Sequence, residues 1–265
     1  MPEVSRPRHP YLAGPAPRVL AHRGFVSADA ARDGIVENTF TAFAAAHAAG
    51  VTYAESDCHL TADGVVVLFH DADLSRVTGD PRKVAEVRHA ELSRIMADRG
   101  GLITAPDALE AFPALRFNLD VKADDAALPL GRAVARHADR TLVTSFSDRR
   151  RREALDAARA AGGTPATSAG QGVVARFVAA AGTGSAALVR RALAGIDALQ
   201  VPERAGAVRV VTPRTLRLAH AAGVEIHVWT VNDRADMDRL LGLGVDGLVT
   251  DRADLALRAV SARSV

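Results

Sequence analysis

The chain has 265 residues, of which 48% are hydrophobic and 24% are charged. This composition is typical of a globular protein that buries a sizeable core, and it excludes a disordered chain. The formal net charge is only +2, with arginines interspersed among Asp and Glu, which argues against nucleic-acid binding. A nucleic-acid-binding protein normally shows a stronger, patterned basic excess together with aromatic residues for stacking.

The single cysteine and the first residues bear on the cellular compartment. Cys58 cannot form an internal disulfide, and residues 1–21 are rich in Pro and Arg without the apolar core, roughly 7–15 residues long, of a signal peptide. We therefore expect a cytoplasmic protein. No apolar stretch approaches the roughly 20 residues that a membrane-spanning helix needs, so we expect no stable membrane insertion.

Short β-branched or apolar runs alternate with longer Ala-, Leu- and Arg-rich segments of helical period, which is typical of a parallel sheet wrapped by helices. Strands are predicted at 19–21, 52–56, 65–69, 117–121, 141–146, 165–168, 198–201, 225–231 and 247–250. Helices are predicted at 39–49, 106–112, 126–137, 148–161, 173–181, 213–222 and 234–241. Barrels of this kind commonly reach this length as one domain, so we predict a single (β/α)8 barrel over residues 1–265, with residues 1–17 as an N-terminal extension. One of the nine strands is then in excess.

One connection breaks the alternation, because the residues between Asp57 and Val65 are too few for a helix. If both flanking strands run in the same direction, residues 58–64 must return in extended form. Seven extended residues reach about 23 Å, enough to run back along a strand of roughly 17 Å. This path would bring Asp57 and His70 to the same rim of the barrel.

Polar residues that do not fit a core pattern follow the predicted strands. In a (β/α) barrel the C-terminal ends of the strands share one rim, and active sites lie there. Six clusters therefore define a predicted active-site rim: His22-Arg23-Gly24, Glu55-Ser56-Asp57, His70-Asp71, Asp120-Val121-Lys122, Ser145-Phe146 and Trp229-Thr230-Val231-Asn232.

Three carboxylates in these clusters form a candidate metal site. Glu55 and Asp57 are two residues apart on a strand, so both side chains point to the same face, and Asp120 approaches from a later strand. Ligation by oxygen alone suits Mg²⁺ or Ca²⁺ rather than zinc. The alternative is an acidic pair on a solvated strand edge.

Two histidines flank the predicted metal site. A histidine with a pKa near its free value of about 6.5 serves as general acid or base at physiological pH, so His22 and His70 can divide the proton work of a phosphoryl transfer. Arg23 offers a bidentate phosphate contact, and Gly24 lets the backbone come close. A lone histidine in this place would more often be a buried structural residue.

Lys122 is one of only two lysines in an arginine-dominated chain, the other being Lys83. At a strand end beside Asp120, it is best explained as a point charge for a phosphate or metal-site oxygen. Trp229, the only tryptophan, either packs in the barrel or presents its ring to the substrate. Asp251 either orients a site residue or caps the following helix. His59 and His227 are candidate supporting residues.

The motifs taken together resemble the glycerophosphodiester phosphodiesterase family in order and spacing, from about Val19 to Asp254. The matching segments are Ala21-His22-Arg23-Gly24, Glu37-Asn38-Thr39, Glu55 to Thr61 with Asp63-Gly64, Phe69-His70-Asp71 with Leu74, Arg76, Thr78 and Gly79, Asn118 to Lys122, Ser145-Phe146, Val228 to Asn232 and Val245 to Asp251.

The resemblance implies a TIM barrel of the PLC-like phosphodiesterase type. It also implies cleavage of a small-molecule glycerophosphodiester to sn-glycerol 3-phosphate and an alcohol, with a divalent metal, Mg²⁺ or Ca²⁺. By this likeness His22 and His70 are the acid–base pair. The other roles follow the same likeness: Arg23 and Lys122 hold the phosphate, and Glu55, Asp57 and Asp120 bind the metal.

The family most often has Glu at the position of Asp120, so the shorter side chain affects the identity and affinity of the metal. Two other functions share the barrel. One is a phospholipase D-like lyase that forms a cyclic phosphate, although its relatives are secreted and carry a disulfide. The other is a barrel that binds phosphorylated ligands without turning them over.

Overall fold

The computed structural model describes residues 9–263, and in this range the barrel is formed by eight parallel strands. They are β1 (Arg18–His22), β2 (Tyr53–Leu60), β4 (Arg116–Val121), β5 (Thr141–Thr144), β6 (Ala166–Thr167), β7 (Ala198–Val201), β10 (Glu225–Val228) and β11 (Gly247–Thr250). Their order is β6-β5-β4-β2-β1-β11-β10-β7. A parallel bridge between Ser168 and Ala198 joins the two ends of this order, so the sheet closes into the predicted (β/α)8 barrel.

Twelve α-helices lie in the described part of the chain. They are α1 (Ala28–Arg32), α2 (Phe40–Ala48), α3 (Ser75–Thr78), α4 (His89–Met96), α5 (Ala105–Ala111), α6 (Ala127–Val134), α7 (Asp148–Ala160), α8 (Gln171–Thr183), α9 (Ala186–Ala192), α10 (Pro213–Ala221), α11 (Arg234–Leu243) and α12 (Ala253–Ser261). Short 3-10 helices are found at Pro10–Leu12, Val84–Glu86, Ala97–Arg99 and Ala135–Arg140. Among residues 9–263, no helix has the length and apolar character needed to cross a membrane.

The excess strand is β3 (Val66–Leu68), and the condition under which residues 58–64 would return in extended form, two strands running in the same direction, is not met. Strand β2 continues to Leu60 and pairs antiparallel with β3 in a hairpin. The turn contains Gly64 at a φ of +80°, and the Thr61 hydroxyl accepts a hydrogen bond from the backbone N–H of Val65. The hairpin returns the chain to the rim, where the backbone N–H of Phe69 donates to the carbonyl of Asp57 at 2.9 Å. His70 therefore follows Asp57 to the rim as expected, by a different path.

Residues 9–17 of the predicted extension lie against the N-terminal end of the barrel. Tyr11 and Leu12 are buried and pack with residues from inside the barrel, including Leu20 and Tyr53. The guanidinium of Arg18, at the start of β1, donates to the Leu12 carbonyl at 2.7 Å. This segment closes the barrel at the end opposite the rim, while residues 1–8 of the predicted extension fall outside the described residues.

A two-stranded sheet is inserted after β7. Strands β8 (Arg204–Ala205) and β9 (Val208–Arg209) form an antiparallel hairpin that pairs Ala205 with Val208. The backbone carbonyl of Glu203, just before the hairpin, accepts hydrogen bonds from the backbone N–H groups of Val210 and Val211. The side-chain carboxylate of Glu203 forms an ion pair of 2.7 Å with Arg239 of α11. These contacts hold the hairpin beside the rim.

Candidate active site

The strand register aligns the candidate site residues at the C-terminal ends of neighbouring strands. His22 of β1 pairs with Glu55 of β2, and Asp57 of β2 pairs with Asp120 of β4. Paired residues on adjacent parallel strands project to the same face of the sheet. The three carboxylates and His22 consequently point into one region, as predicted.

A cavity of about 750 Å³ opens at this rim. All eight candidate site residues line it: His22, Arg23, Glu55, Asp57, His70, Asp120, Lys122 and Trp229. The structure therefore brings together all eight residues to which the sequence assigned an acid–base, substrate-binding or metal-binding role, from four barrel strands and the β3 hairpin.

His22 is held by two residues from the far end of the chain. Its Nδ1 lies 2.7 Å from Oδ1 of Asp251, and because a carboxylate only accepts, Nδ1 carries the proton. The side-chain amide of Asn232 donates to Oδ2 of Asp251 at 2.7 Å. Burial lowers the pKa of His22, but the hydrogen bond to Asp251 and the charge of Glu55 outweigh it, and the pKa of His22 is raised. The contact leaves Nε2 of His22 for chemistry, 3.9 Å from Oε2 of Glu55.

His70 has a similar arrangement with a different carboxylate. Its Nδ1 lies 2.7 Å from Oδ1 of Asp71, whose other oxygen accepts from Nε of Arg76 at 2.6 Å. The ring of His59 donates from Nε2 to the His70 carbonyl at 3.1 Å. His59 thus has the supporting role expected of it, at the backbone of His70.

Arg23 takes up a backbone conformation with a φ of +57°, which is uncommon for a residue with a side chain. A Cβ on the next residue, Gly24, would lie 2.8 Å from the carbonyl carbon of Ala42, so only glycine lets this loop pack against α2. The Arg23 guanidinium lies 3.1 Å from Oδ2 of Asp57 and 3.0 Å from Oε1 of Glu37. The loop therefore directs a fixed positive charge into the rim.

Lys122 bridges two of the carboxylates. Its Nζ lies 2.9 Å from Oδ1 of Asp57 and 2.7 Å from Oδ2 of Asp120. Burial lowers the pKa of Lys122, but the charges of Asp120 and Asp57 outweigh this effect and raise it. Burial conversely raises the pKa of Asp57, and the charges of Lys122 and Arg23 bring it below its ordinary value. Lys122 and Asp57 are thus an ionised pair.

The carboxylates supply oxygen atoms suited to a hard cation. Oδ1 of Asp120 is buried without a hydrogen-bond partner among the described residues. Burial and the charge of Asp57 raise the pKa of Glu55 to about 8, so added positive charge would stabilise its ionised form. In residues 9–263, however, no three His, Cys, Asp or Glu side chains are grouped closely enough to hold a metal ion. The chemistry of these donors, carboxylate oxygen alone, is of the kind that a divalent cation prefers, but ligation by all three would require the carboxylates to move closer together, with Asp57 and Asp120 shared with Lys122.

Trp229 has both of the positions considered for it. It packs against the cluster inside the barrel and also lines the cavity. Its ring meets that of Phe146 edge to face, with 5.8 Å between the centroids, and Nζ of Lys122 lies 5.4 Å from the centroid of Phe146. The two rings form an aromatic border beside Lys122.

Several residues contribute contacts that the sequence did not assign. Asp71, Glu37, Asn38 and Asn232 were identified within motifs but without a role, and Asp251 was left between two roles. Asn38 donates to Oδ2 of Asp57 at 3.1 Å and accepts from Ser56 at 2.7 Å. His227, expected as a supporting residue, instead lies fully buried beside Glu225, the first residue of β10, at the opposite end of the barrel. It was placed wrongly because strand alternation shows that it faces inward but not at which level.

Two oriented histidines, two partly buried cations and three carboxylates at the C-terminal rim are typical of a (β/α)8-barrel hydrolase with an anionic substrate. The sequence profile of the Glycerophosphoryl diester phosphodiesterase family matches residues 22–255. The chain belongs to this family, which confirms the resemblance and identifies the chain as an enzyme.

Individual relatives agree with this assignment. The Mycobacterium tuberculosis protein named "Probable glycerophosphodiester phosphodiesterase 2" is 38% identical over 248 residues, which cover 92% of this chain and 90% of that protein. The crystal structure of a glycerophosphodiester phosphodiesterase from Thermotoga maritima is 25% identical, with a TM-score of 0.68, covering 91% of this chain and 96% of that one. An Oleispira antarctica phosphodiesterase, solved with the product sn-glycerol-3-phosphate, has the same fold at 20% identity, with a TM-score of 0.69 and coverage of 93% and 97%.

Proposed function

We propose that this enzyme hydrolyses glycerophosphodiesters to sn-glycerol 3-phosphate and an alcohol. In this proposal His22 and His70 are the acid–base pair, and Arg23 and Lys122 bind the phosphate. A divalent cation, Mg²⁺ or Ca²⁺, is bound by Glu55, Asp57 and Asp120.

The observation that carries the proposal is the matched orientation of the two histidines. Each ring donates from Nδ1 to a carboxylate at 2.7 Å, His22 to Asp251 and His70 to Asp71. A carboxylate on Nδ1 fixes the tautomer and the ring orientation and leaves Nε2 for proton transfer. Both rings line the same cavity, so one can accept a proton from the attacking oxygen while the other donates to the leaving oxygen.

The two cations of the rim suit the phosphate of such a substrate. Arg23 and Lys122 are held by Asp57 from both sides, with atoms of both cations lining the cavity. Arg presents a planar fork and Lys a compact charge, and together they can bind the non-bridging oxygens and offset the charge that develops on them. A substrate phosphate would compete with Asp57 and Asp120 for these cations.

The bound cation would supply further charge stabilisation at the phosphoryl oxygens. Support for its site comes from the partnerless Oδ1 of Asp120 and the raised pKa of Glu55. Burial raises the pKa of Asp120 as well. Positive charge added beside Glu55 and Asp120 should bring the pKa of each back towards its ordinary value. Asp120 is one methylene shorter than the Glu that the family usually has at this position. We expect this difference to affect the affinity for the cation more than any other property of the site.

The test is turnover of sn-glycero-3-phosphocholine with Mg²⁺, Mn²⁺ or Ca²⁺, before and after EDTA. We expect turnover that EDTA abolishes and that added metal restores. Turnover that survives complete metal removal would contradict the metal part of the proposal, and the absence of turnover with every metal would contradict the substrate assignment.

A further inference from the structure

The floor of the rim cavity is a layer of side chains inside the barrel. Such layers are filled by inward-facing residues from alternate strands. Glu55, Thr144, Gln200 and Val249 come from β2, β5, β7 and β11, which alternate around the closed sheet, and all four line the cavity. Because β7 is four strands away from β2, Gln200 lies across the barrel from Glu55.

Gln200 is held by its backbone but not by its side chain. It follows Ala198, a residue of the cluster inside the barrel, by two positions, so its side chain points inward. Its backbone N–H donates to Oγ of Ser168 at 3.1 Å. The side-chain Nε2 is buried and has no hydrogen-bond partner among residues 9–263. The strand therefore fixes where Gln200 points, while its amide nitrogen is left without an acceptor.

Asn118 adds a second unpartnered group just below this floor. It precedes Asp120 by two residues on β4 and lines the cavity, although it is only 2% exposed. Its Oδ1 is buried without a hydrogen-bond partner in the described part of the chain. A buried donor or acceptor without a partner is unfavourable, and packing alone does not account for two of them in one cavity. The two groups therefore indicate a polar ligand.

The two groups have opposite hydrogen-bonding character, since Nε2 of Gln200 donates and Oδ1 of Asn118 accepts. A phosphate oxygen only accepts, an ammonium group only donates, and a metal ion would interact with the Asn118 oxygen alone. A hydroxyl group both donates and accepts, so hydroxyl groups can satisfy both residues. The third polar residue that suits a hydroxyl is Thr144, and the three together are here called the polar floor.

The polar floor lies within reach of a phosphate bound at the rim. Nζ of Lys122 is held by Asp120 at 2.7 Å, and Asp120 is one two-residue step of β4, about 7 Å, above Asn118. Gln200 of β7 and Trp229, directly after the neighbouring β10, line the far side of the cavity. A three-carbon chain attached to the phosphate can therefore extend from the cations across the polar floor.

We propose that the polar floor selects the glycerol end of the substrate, with Gln200 donating to its free hydroxyl groups and Asn118 accepting from them. This inference rests on the proposed function, since the phosphate must lie at Arg23 and Lys122. The alcohol on the other side of the phosphate then points to the open mouth of the cavity. The site is accordingly selective for glycerol and tolerant of the alcohol.

The direct test is the binding of four phosphate monoesters with three-carbon chains, measured by isothermal titration calorimetry on the full chain with Mg²⁺ present. n-Propyl phosphate has no free hydroxyl, 2-hydroxypropyl and 3-hydroxypropyl phosphate each have one, and sn-glycerol 3-phosphate has both. Each hydroxyl that reaches the polar floor should tighten Kd about 3- to 10-fold, the usual contribution of one hydrogen bond. The same Kd for all four, or no binding of any, would overturn the proposal.

Substitutions assign the hydroxyl effect to the polar floor. Gln200→Met keeps the length of the side chain but removes its amide, and Asn118→Leu removes the second amide at a similar volume. Each should reduce the tightening caused by the hydroxyls and leave the Kd of n-propyl phosphate unchanged. If Asn118→Leu does not fold, Gln200→Met decides alone. A hydroxyl effect that survives in either folded variant would overturn the proposal.

The matched control is Gln171→Met, the same substitution in the same cavity. Gln171 lines the cavity from the first turn of α8, outside the barrel interior. This variant should keep the wild-type order of the four Kd values. A hydroxyl effect that is also lost in Gln171→Met would mean that the polar floor is not its source.

Two alternatives predict different results. If EDTA removes the hydroxyl effect in the wild type while both floor variants keep it, the hydroxyls bind the metal ion and the proposal is wrong. If Gln200→Met lowers Tm but keeps the hydroxyl effect, Gln200 is only a packing residue and the proposal is equally wrong.

The binding series is independent of turnover, so the two proposals can fail separately. Hydrolysis of sn-glycero-3-phosphocholine without a hydroxyl effect rejects only the selection of glycerol by the polar floor. A hydroxyl effect without hydrolysis rejects only the proposed reaction.

Discussion

Nδ1 of His22 lies 2.7 Å from Oδ1 of Asp251, although the two residues are 229 positions apart in the sequence. They meet because the first and last barrel strands are neighbours, with Ala21 paired to Thr250. Asn232 in turn holds Asp251 through its amide and accepts from the backbone N–H of Asp251 at 2.9 Å. Closure of the barrel therefore brings Asp251 and Asn232 to His22.

Replacing Asp251 by Asn should lower the pKa of His22, because the substitution replaces a charged acceptor, which raises this pKa, by a neutral amide. The limb of the pH profile of kcat/KM that belongs to His22 should move to lower pH, and kcat should fall about 10-fold or more as the ring loses its orientation. Asp254→Asn is the control, since Asp254 pairs with Arg252 and Arg258. An unmoved limb in Asp251→Asn would show that Asp251 has no positioning role.

Removal of either histidine should abolish most of the activity. His22→Ala and His70→Ala are each expected to lower kcat by about 10²-fold or more, the usual size of a general acid or base contribution. His47→Ala on the exposed side of α2 is the matched control and should be indistinguishable from wild type. Near-wild-type turnover in either site variant would refute the pairing.

Asp120→Ala should first lower the affinity for the metal ion, because it removes the partnerless buried oxygen proposed as a ligand. The concentration of Mg²⁺ or Ca²⁺ at half-maximal activity should rise well above the wild-type value. Asp156→Ala, at an exposed carboxylate that pairs with Arg159, should leave the titration unchanged. An unchanged titration in Asp120→Ala would remove Asp120 from the metal site.

Stability in acid should depend on Glu225 at the closed end of the barrel. Burial raises the pKa of Glu225, but the hydrogen bonds from Arg18 and His227 outweigh it and lower the pKa to about 2. The unfolded state therefore binds more protons, and the contribution of Glu225 is complete above its unfolded pKa and is lost as pH falls through about 2.

Glu225→Gln should lower the free energy of unfolding at pH 7 by about 3–5 kcal/mol, because it leaves Arg18 buried without its counter-charge. The difference between wild type and variant should narrow as pH falls from about 4.5 towards 2, which urea denaturation at several pH values would measure. A difference that stays constant over this range would contradict the ion-pair account.

The alternation along the chain predicted the eight barrel strands because apolar runs and helical segments differ in period. The strand at Val65–Phe69 was predicted but its place outside the barrel was not, since an apolar run has the same pattern whether it runs parallel or antiparallel to its neighbour. The five-residue helix Ala28–Arg32 was missed because it buries no residue and so has no apolar face. The amphipathic helix α12 was also missed, and only the possible cap at Asp251 pointed to it.

The site was more predictable at its centre than in its surroundings. Residues such as Glu55 and Asp57 stand out because carboxylates interrupt a buried strand. The role of Asp251 depends on a strand pairing between distant segments, which local pattern does not contain. Val174 and Val178 were included in a predicted helix, and only the fold shows that they line the cavity as well as packing against the core. A cytoplasmic location and a single domain over residues 1–265 stay predictions.

The most direct test of the account is analysis of the products from sn-glycero-3-phosphocholine by phosphorus NMR, with the wild-type chain and Mg²⁺ or Ca²⁺. The account predicts that sn-glycerol 3-phosphate accumulates in step with free choline and that both signals are lost in His22→Ala and His70→Ala. A cyclic phosphate as the final product would identify a lyase and contradict the proposed hydrolysis, and no product with any metal would contradict the assigned substrate.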